Sequence, residues 1–339
     1  MLGDVINGVI GPIFDATWSS LKAQYHEGLE ETELKQECIK AQQSISRASK
    51  NYHQKYLDID CEIKLFGNLM PKGIPLESIY TAVKFLSNSD LKYFEGLDNL
   101  EKLYRKTGSR NFRIGQNERQ DGLTVANTEQ YLMVLGGPGI GKSTFLRKLG
   151  LEALTNRLAY DLMPVFIELK YLKGEDKSLL QAIAKKLEIS GFPYSERLLE
   201  SMLSEGKMLI LLDGLDEVPS KQKKSAIREI ESFCNQHSQN RFIISCRTAA
   251  YKGGFKQFYN VTMAEFDDKQ IQPFIQRWFN SELDVQSDTA EKVWEALKQP
   301  ENASVKELAR TPLLLAFLCL KYEHSQSALL HKQTGLDAV

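Results

Sequence analysis

The sequence predicts a mixed α/β protein with a three-layer core, in which helices cover a parallel sheet. From residue 122 onward, apolar runs of strand length alternate with amphipathic helical patterns, which is typical of a parallel sheet. After about residue 265 the pattern is wholly helical, and helix-favouring stretches dominate the start of the chain. We therefore predict an N-terminal helical region at 1–110, a sheet-containing domain at 111–265 and a helical domain at 266–339.

The composition excludes several classes of protein. Among 339 residues, 43 Lys and Arg nearly cancel 44 Asp and Glu, so no strong field favours nucleic acid as a partner. The 5 cysteines are scattered and form no CxxC pair, which indicates reduced thiols and neither a disulfide frame nor a zinc site. No apolar run reaches the ~18–20 residues of a transmembrane helix, and the N-terminus lacks the basic flank of a signal peptide. We expect a cytoplasmic protein.

The N-terminal region carries an apolar stripe but no catalytic motif. The stripe has the three- and four-residue spacing of one helix face and consists of Leu2, Val5, Ile6, Val9, Ile10, Ile13, Phe14, Trp18 and Leu21. One interpretation is packing against the helices predicted within 29–105. The other is a helix that becomes exposed on activation and drives assembly or membrane insertion. A further helix is predicted at 91–105, and the polar stretch 106–121 is predicted to be a linker.

The strands and helices of the sheet-containing domain follow from length and periodicity. The predicted strands are 131–135, Pro164–Leu169, Lys207–Leu212, Arg241–Cys246 and Tyr259–Met263. The predicted helices between them are 143–158, 178–187, 195–204 and 220–236.

A glycine-rich run between the first strand and the first helix of this domain fits the P-loop pattern. Its backbone N–H groups can wrap a phosphate, and the start of the helix adds its positive dipole end. The candidate phosphate-binding residues are Gly136, Gly137, Pro138, Gly139, Ile140, Gly141, Lys142, Ser143 and Thr144. Lys142 brings a cation to the outer phosphates, and the Ser143 hydroxyl can bind Mg²⁺. The strand, loop and helix context separates this motif from a chance glycine-rich turn.

An apolar strand that ends in acidic residues supplies the second half of the predicted site. Residues 208–217 have the Walker B form, in which the Asp213 carboxylate holds Mg²⁺ directly or through water. Glu217 is the best candidate to polarise the attacking water, with Asp216 as a rival or helper. The alternative is an ordinary strand followed by an acidic turn, and the P-loop upstream argues against it.

Two residues outside these motifs complete the candidate site. Arg247 follows the next strand, where a cation would lie beside the γ-phosphate and sense it or stabilise charge during hydrolysis. The alternative is a surface arginine. Pro312 interrupts an apolar helical segment at 308–319, which is explained by core packing or by contact with the base of a nucleotide. Spacing alone does not separate these two interpretations.

Together these segments resemble the NACHT family of STAND signalling NTPases. The resemblance rests on 136–144, on Asp213-Gly-Leu-Asp-Glu217, on Ser245-Cys-Arg247 and on Thr311-Pro-Leu-Leu-Leu315, and it covers about 122–323. It implies a P-loop NTPase core with a helical lid. It also implies binding of phosphate and Mg²⁺ by Lys142, Ser143 and Asp213, phosphate sensing by Arg247 and adenine contact by Pro312.

The resemblance also implies a function, a nucleotide-controlled switch that self-associates when a trigger ligand or protein is detected. Prokaryotic members of the family are associated with antiviral defence, and animal and fungal members with innate immunity or cell death. We therefore expect a slow, regulatory NTP hydrolase that binds ATP or ADP with Mg²⁺. The sequence has no Asn-Lys-x-Asp guanine-binding motif, which favours ATP but leaves GTP open. The alternatives are a motor-type ATPase and a small-molecule phosphotransferase.

Overall fold

The computed structural model of the chain describes residue 8 and the segments 31–63, 73–86, 119–172, 178–192 and 195–334. Three predictions lie wholly or mostly outside these residues. They are the apolar stripe of 2–21, the helix of 91–105 and the linker of 106–121, of which only the last three residues are described.

Seven of the nine described strands form one mostly parallel sheet, in the order β4-β3-β9-β5-β8-β7-β6. The strands are β1 (Glu62–Ile63), β2 (Ile74–Pro75), β3 (Lys84–Leu86), β4 (Gln120–Asp121), β5 (Tyr131–Gly136), β6 (Met163–Glu168), β7 (Met208–Asp213), β8 (Arg241–Arg247) and β9 (Tyr259–Met263). β1 and β2 pair with each other in a separate two-stranded sheet.

Helices pack around this sheet, which confirms the predicted α/β core. Those before β7 are α1 (Glu31–Lys55), α2 (Leu76–Ile79), α3 (Gly122–Thr128), α4 (Lys142–Leu154), α5 (Leu179–Ile189) and α6 (Ser195–Ser204). Those after β7 are α7 (Lys223–Gln236), α8 (Asp268–Trp278), α9 (Glu282–Gln286), α10 (Thr289–Lys298), α11 (Ala303–Leu308) and α12 (Pro312–Thr334).

Each of the five strands predicted from apolar runs is present. β6 pairs with β7 and β7 with β8 in parallel, and β7 is buried along its whole length. Strands covered on both faces need near-continuous apolar sequence, and for this reason their length and position could be predicted. β8 lies between β5, which precedes the glycine loop, and β7, which carries the acidic motif.

Four short strands were not predicted. β3 and β4 belong to the main sheet, where β3 pairs antiparallel with β4 and with β9. Strands of two or three residues are too short to show an alternating pattern. In β3 the hydrogen bonds are completed by a partner from a distant part of the chain, since Leu86 lies 176 positions from its partner Thr262 in β9 and Phe85 lies 178 positions from Met263.

Contacts divide the described residues into two compact units. The first contains the described residues up to Gly73 together with Leu123–Leu135 and Lys142–Val261. The second contains Ile74–Gly122, Gly136–Gly141 and the described residues from Thr262 onward. The glycine loop therefore belongs to the second unit by its contacts.

Within the first unit, α1 and the π-helical turn that follows it, Tyr56–Asp60, each pack on the sheet core through a tyrosine. The buried Tyr52 hydroxyl donates to the carbonyl of Pro164 in β6 at 2.7 Å, and the Tyr56 hydroxyl donates to the carbonyl of Arg147 in α4 at 3.2 Å. Burial, and next the Asp60 carboxylate, raise the pKa of Tyr52. These hydroxyls therefore stay protonated and act as donors near neutral pH.

Asn240 joins three backbone segments at the amino ends of β7 and β8. Its amide group donates to the carbonyls of Leu203 at 2.7 Å and His237 at 2.9 Å, and its carbonyl oxygen accepts from the N–H of Met208 at 3.0 Å. The side chain is completely buried. A buried amide is tolerated when its polar atoms have partners, and this one has partners on both sides.

Within the second unit, α8 is anchored to the segment before β3. Gln270 donates to the carbonyl of Ala82 at 2.7 Å, and Arg277 donates to the carbonyl of Tyr80 at 2.6 Å. At the start of α8, Gln270 Oε1 accepts from the N–H of Asp267 at 3.1 Å, while the Asp267 carboxylate pairs with Lys84 at 2.9 Å. Residues near position 80 thus hold a helix that lies almost two hundred positions later.

Within the part of the chain that the structure describes, no helix is both long enough and apolar enough to cross a membrane.

We predict that Asn240→Ala lowers the free energy of unfolding by about 2–4 kcal/mol, because it leaves buried backbone groups without partners. Chemical denaturation measures this difference. Gln236→Ala, at an exposed position near the end of α7, is the control and should change the free energy by less than about 0.5 kcal/mol. An equal effect of the two substitutions would contradict the role assigned to Asn240.

Candidate functional site

The glycine loop connects β5 directly to α4 and has the backbone conformation of an anion-binding turn. Gly139 and Gly141 have φ of 72° and 100°, in the left-handed region that favours glycine. At Gly137 an added Cβ would meet no atom within 4 Å, so a small side chain would fit at this position. Successive N–H groups in such a turn form a concave site for phosphate oxygens.

Within the second unit, the segment around Pro312 lies against this loop. The N–H of Leu313 donates to the carbonyl of Gly139 at 3.1 Å. A Cβ added at Gly139 would lie 2.9 Å from Leu313 Cβ and 3.4 Å from Thr311 Cγ2. Pro312 is the first residue of α12, where its fixed φ and missing N–H suit a helix start. The structure therefore brings Pro312 to the phosphate loop, and adenine contact stays a prediction.

Lys142 and Ser143 begin α4 in the first unit, immediately after the loop. Burial lowers the pKa of the Lys142 amine, the Asp216 carboxylate opposes this shift, the Arg247 guanidinium adds to it, and Asp213 opposes it. The electrostatic influence of these three groups shows that the lysine, the two acids and the arginine share one neighbourhood. The acidic motif at the end of β7 and Arg247 at the end of β8, both predicted from the sequence, therefore lie near Lys142.

Asp213 ends β7 and is held by β8. The Ser245 hydroxyl donates to Asp213 Oδ1 at 2.5 Å and accepts from the N–H of Gly214 at 2.8 Å. Asp213 is 8% exposed and Ser245 is 1% exposed. The hydrogen bond fixes one carboxylate oxygen, and the carboxylate retains further lone pairs for a cation.

Asp216 bonds to Arg247, which lies two positions after Ser245 at the end of β8. Its Oδ1 accepts from the N–H of Arg247 at 2.9 Å, and its Oδ2 lies 2.9 Å from Arg247 Nε. The Asp216 side chain is 9% exposed, whereas that of Arg247 is 54% exposed. The arginine is thus anchored at its base by a shielded acid and extends into solvent.

Glu217 closes a single 3₁₀ turn, Leu215–Glu217, and its side chain is exposed. Its N–H donates to the carbonyl of Gly214 at 2.9 Å, and a Cβ added at Gly214 would lie 3.2 Å from Glu217 Cδ. Gly214 has φ of 77°, so glycine at this position permits both the turn and the close approach of the carboxylate. Of the two acids after Asp213, Glu217 is the one open to a water molecule.

Sequence reasoning did not select Glu168, which lies beside the acidic motif. It ends β6 and pairs in register with Asp213. Its carboxylate lies 2.9 Å from Lys170 Nζ and 3.8 Å from Arg147 of α4. The sequence signal for Glu168 was an acid at the end of a buried strand. Parallel strands bring their carboxyl ends to one edge of the sheet, so such an acid is expected near the acidic motif.

Cys246 lies between Ser245 and Arg247 on β8, and its thiol is unreactive. Burial, and next the Asp216 carboxylate, raise the pKa of its thiol to about 11. The thiol is therefore protonated near neutral pH and is no nucleophile. Cys61, Cys234 and Cys319 are also buried, and none of the three is part of a disulfide.

The donor set suits Mg²⁺ and a nucleotide triphosphate group. Ser143 and Asp213 offer hydroxyl and carboxylate oxygens, the ligand type that Mg²⁺ prefers. Among the described residues there is no group of three or more His, Cys, Asp or Glu that could hold a metal alone.

Comparison with protein families identifies a known domain. The model of the NACHT domain matches residues 130–282. The match begins one residue before β5 and includes the glycine loop, the acidic strand end, Arg247 and α8. No curated protein matches the sequence.

Solved structures give weaker similarities. A variant of RuvB from Thermotoga maritima is 16% identical with a TM-score of 0.33, covering 68% of this chain and 62% of that chain. DnaA from Aquifex aeolicus bound to AMPPCP is 17% identical with a TM-score of 0.33, covering 54% and 57%. Domain III of the replication initiation protein DnaA from Thermotoga maritima is 13% identical with a TM-score of 0.36, covering 82% and 94%. The chain thus spans less than two thirds of the first two, and these TM-scores support no conclusion about activity.

We predict that substitution by alanine lowers the free energy of unfolding at one position of the glycine loop and leaves it nearly unchanged at another. Gly139→Ala forces a Cβ into the left-handed region and against Leu313, which costs about 1–2 kcal/mol in conformation alone. Gly137→Ala meets open space and should change the free energy of unfolding by less than about 0.5 kcal/mol. Chemical denaturation compares the two variants, and equal stability would contradict the contact between the loop and Leu313.

Proposed function

We propose that the protein is a regulatory ATPase whose bound nucleotide controls self-association, because residues 130–282 match the model of the NACHT domain, a STAND P-loop NTPase domain. The observation that carries the proposal is the hydrogen bonding of the β8 end to Asp213 and Asp216, two acids whose charges, with that of Arg247, act on Lys142. Two anions and two cations at a strand edge form a site suited to a metal-bound polyphosphate.

Each residue has a separate task in binding. The loop of 136–141 supplies N–H donors to the phosphates, and Lys142 neutralises charge on the outer ones. Ser143 and Asp213 would hold Mg²⁺, which when bound neutralises charge on the phosphates. Ser245 keeps the Asp213 carboxylate in one orientation through its 2.5 Å hydrogen bond.

Hydrolysis requires a group that orients and deprotonates a water molecule. Glu217 is exposed at the end of its turn, and we assign it this role. Arg247 extends from the end of β8 and stabilises the charge that develops on the γ-phosphate. Pro312 is proposed to contact the adenine base, which would link the nucleotide to α12.

Slow hydrolysis suits a switch, because the protein then stays in its triphosphate-bound state until the nucleotide is hydrolysed. Changing a two-state equilibrium from almost all off to almost all on requires about 5.5 kcal/mol of differential binding. Contacts of a γ-phosphate with Lys142, Arg247 and Mg²⁺ are charge-assisted, at about 1.5–3 kcal/mol each, so their sum is of the required size.

The biological role we propose follows from the NACHT domain and from no other observation. Proteins with this domain respond to a trigger ligand or protein, and we assign the chain to antiviral defence or innate-immunity-type signalling in the cytoplasm. ATP is proposed over GTP because the sequence has no Asn-Lys-x-Asp motif for guanine.

We predict that Lys142→Ala abolishes binding of ATP and ADP, with affinity at least about a hundredfold lower, because charge-assisted contacts to phosphate are lost. Titration with fluorescent nucleotide in the presence of Mg²⁺ measures this. Light scattering of the same samples shows whether self-association follows the nucleotide and is lost in the variant.

Lys185→Ala is the matched control for this experiment. Lys185 lies on the exposed face of α5 and forms a surface pair with Glu188 at 2.8 Å. Its removal should leave nucleotide binding unchanged. Wild-type affinity in Lys142→Ala would refute the proposed function.

We predict that Glu217→Gln slows phosphate release by about a hundredfold or more while ATP binding persists, since general base catalysis contributes about that much. Single-turnover assays that measure inorganic phosphate separate chemistry from binding. Unchanged turnover would remove Glu217 from the mechanism and transfer the role to another group.

A further inference from the structure

We propose that Asp216 is a positioning residue that holds Arg247 ready for the terminal phosphate of a bound nucleoside triphosphate. This inference rests on the proposed function, since it needs a triphosphate in the site. It assigns Asp216 a task different from water activation, and it takes the role of Arg247 at the terminal phosphate from the proposed function.

The two bonds from Asp216 fix Arg247 at two levels. The bond to the backbone N–H at 2.9 Å fixes where the side chain leaves β8. The contact of Oδ2 with Nε at 2.9 Å fixes the direction of the guanidinium. Because a guanidinium carries further N–H donors on its terminal nitrogens, the pair through Nε is compatible with simultaneous binding of a phosphate.

The two side chains differ in solvent exposure in the way that a positioning role for Asp216 requires. Asp216 is 9% exposed, so its carboxylate is shielded and its contact with Arg247 is weakly screened by solvent. Arg247 is 54% exposed, so its outer end is accessible to a ligand. An exposed arginine without such an anchor would lose much rotamer freedom on binding phosphate, and the anchor removes part of that loss in advance.

Water activation suits Asp216 less well than its neighbour. A general base needs an oxygen that can reach and accept a proton from water. Both oxygens of Asp216 already accept from Arg247, and the adjacent Glu217 is exposed. The two acids of the motif therefore divide into one that positions and one that is open to water.

Strand β8 places the pair of Asp216 and Arg247 beside Asp213, the proposed Mg²⁺ ligand. Ser245 and Arg247 are two positions apart on β8, so they lie on the same face of the strand. The first holds Asp213 and the second holds Asp216. Consequently the orientation of Arg247 is tied to the same strand end that orients the metal ligand.

A double-mutant cycle on Asp216 and Arg247 tests the proposal in the full chain. The measured quantities are the Kd of ADP and the Kd of a non-hydrolysable ATP analogue, both with Mg²⁺. For Arg247→Ala we expect the Kd of the ATP analogue to rise about tenfold or more and the Kd of ADP to change less than twofold. We expect the same pattern for Asp216→Asn, and no further loss when the two substitutions are combined.

Several outcomes would overturn the inference. Asp216→Asn with unchanged Kd for the ATP analogue but slower single-turnover hydrolysis would make Asp216 a base. Additive losses in the double variant would show that the two residues act independently. Equal weakening of ADP and the analogue would show a structural defect in place of phosphate discrimination, and unchanged binding in Arg247→Ala would remove the arginine from the site.

Two controls separate this result from the proposed function. The exposed pair of Lys185 and Glu188 gives a matched cycle in the same unit, and its removal should leave both Kd values unchanged. Lys142→Ala tests nucleotide binding itself. If wild-type protein binds both nucleotides and Lys142→Ala binds neither, the nucleotide site of the proposed function stands whatever the cycle on Asp216 shows.

Discussion

The site depends on two hydrogen-bonded contacts between the end of β8 and the acidic turn after β7. Ser245 donates to Asp213, and Arg247 donates to Asp216. Carboxylates near a polyphosphate repel it unless a metal or a cation compensates. By orienting each acid toward a fixed partner, β8 leaves the region next to Lys142 with defined charges in defined directions.

The parallel sheet makes this arrangement possible. Parallel neighbours bring their carboxyl ends to one edge, and β6, β7 and β8 end there with Glu168, Asp213 and Arg247. Continuous burial of β7 leaves the strand little freedom to shift, because a register slip would disturb every packed side chain along it. The rigidity of an apolar core thus gives precision to polar groups at its edge.

The second unit contributes a different constraint. The Thr311–Leu313 segment contacts the glycine loop through the bond from Leu313 to Gly139, and Gly139 has no Cβ that would prevent this approach. A helix start that bonds to the phosphate loop can respond to what the loop binds. In the function that we propose, this bond is the connection between the bound nucleotide and the C-terminal helices.

The sequence by itself determined the sheet core and the identity of the chemical groups. The five long strands could be predicted because buried parallel strands require apolar runs, and the P-loop and the acidic motif because their chemistry restricts residue types at close spacing. Only the tertiary structure decided how the groups are paired. Asp216 could not be separated from Glu217, and the contact of Leu313 with Gly139 could not be predicted. Such pairings join residues 31 to 174 positions apart, and no periodicity in a single sequence records which distant atoms meet.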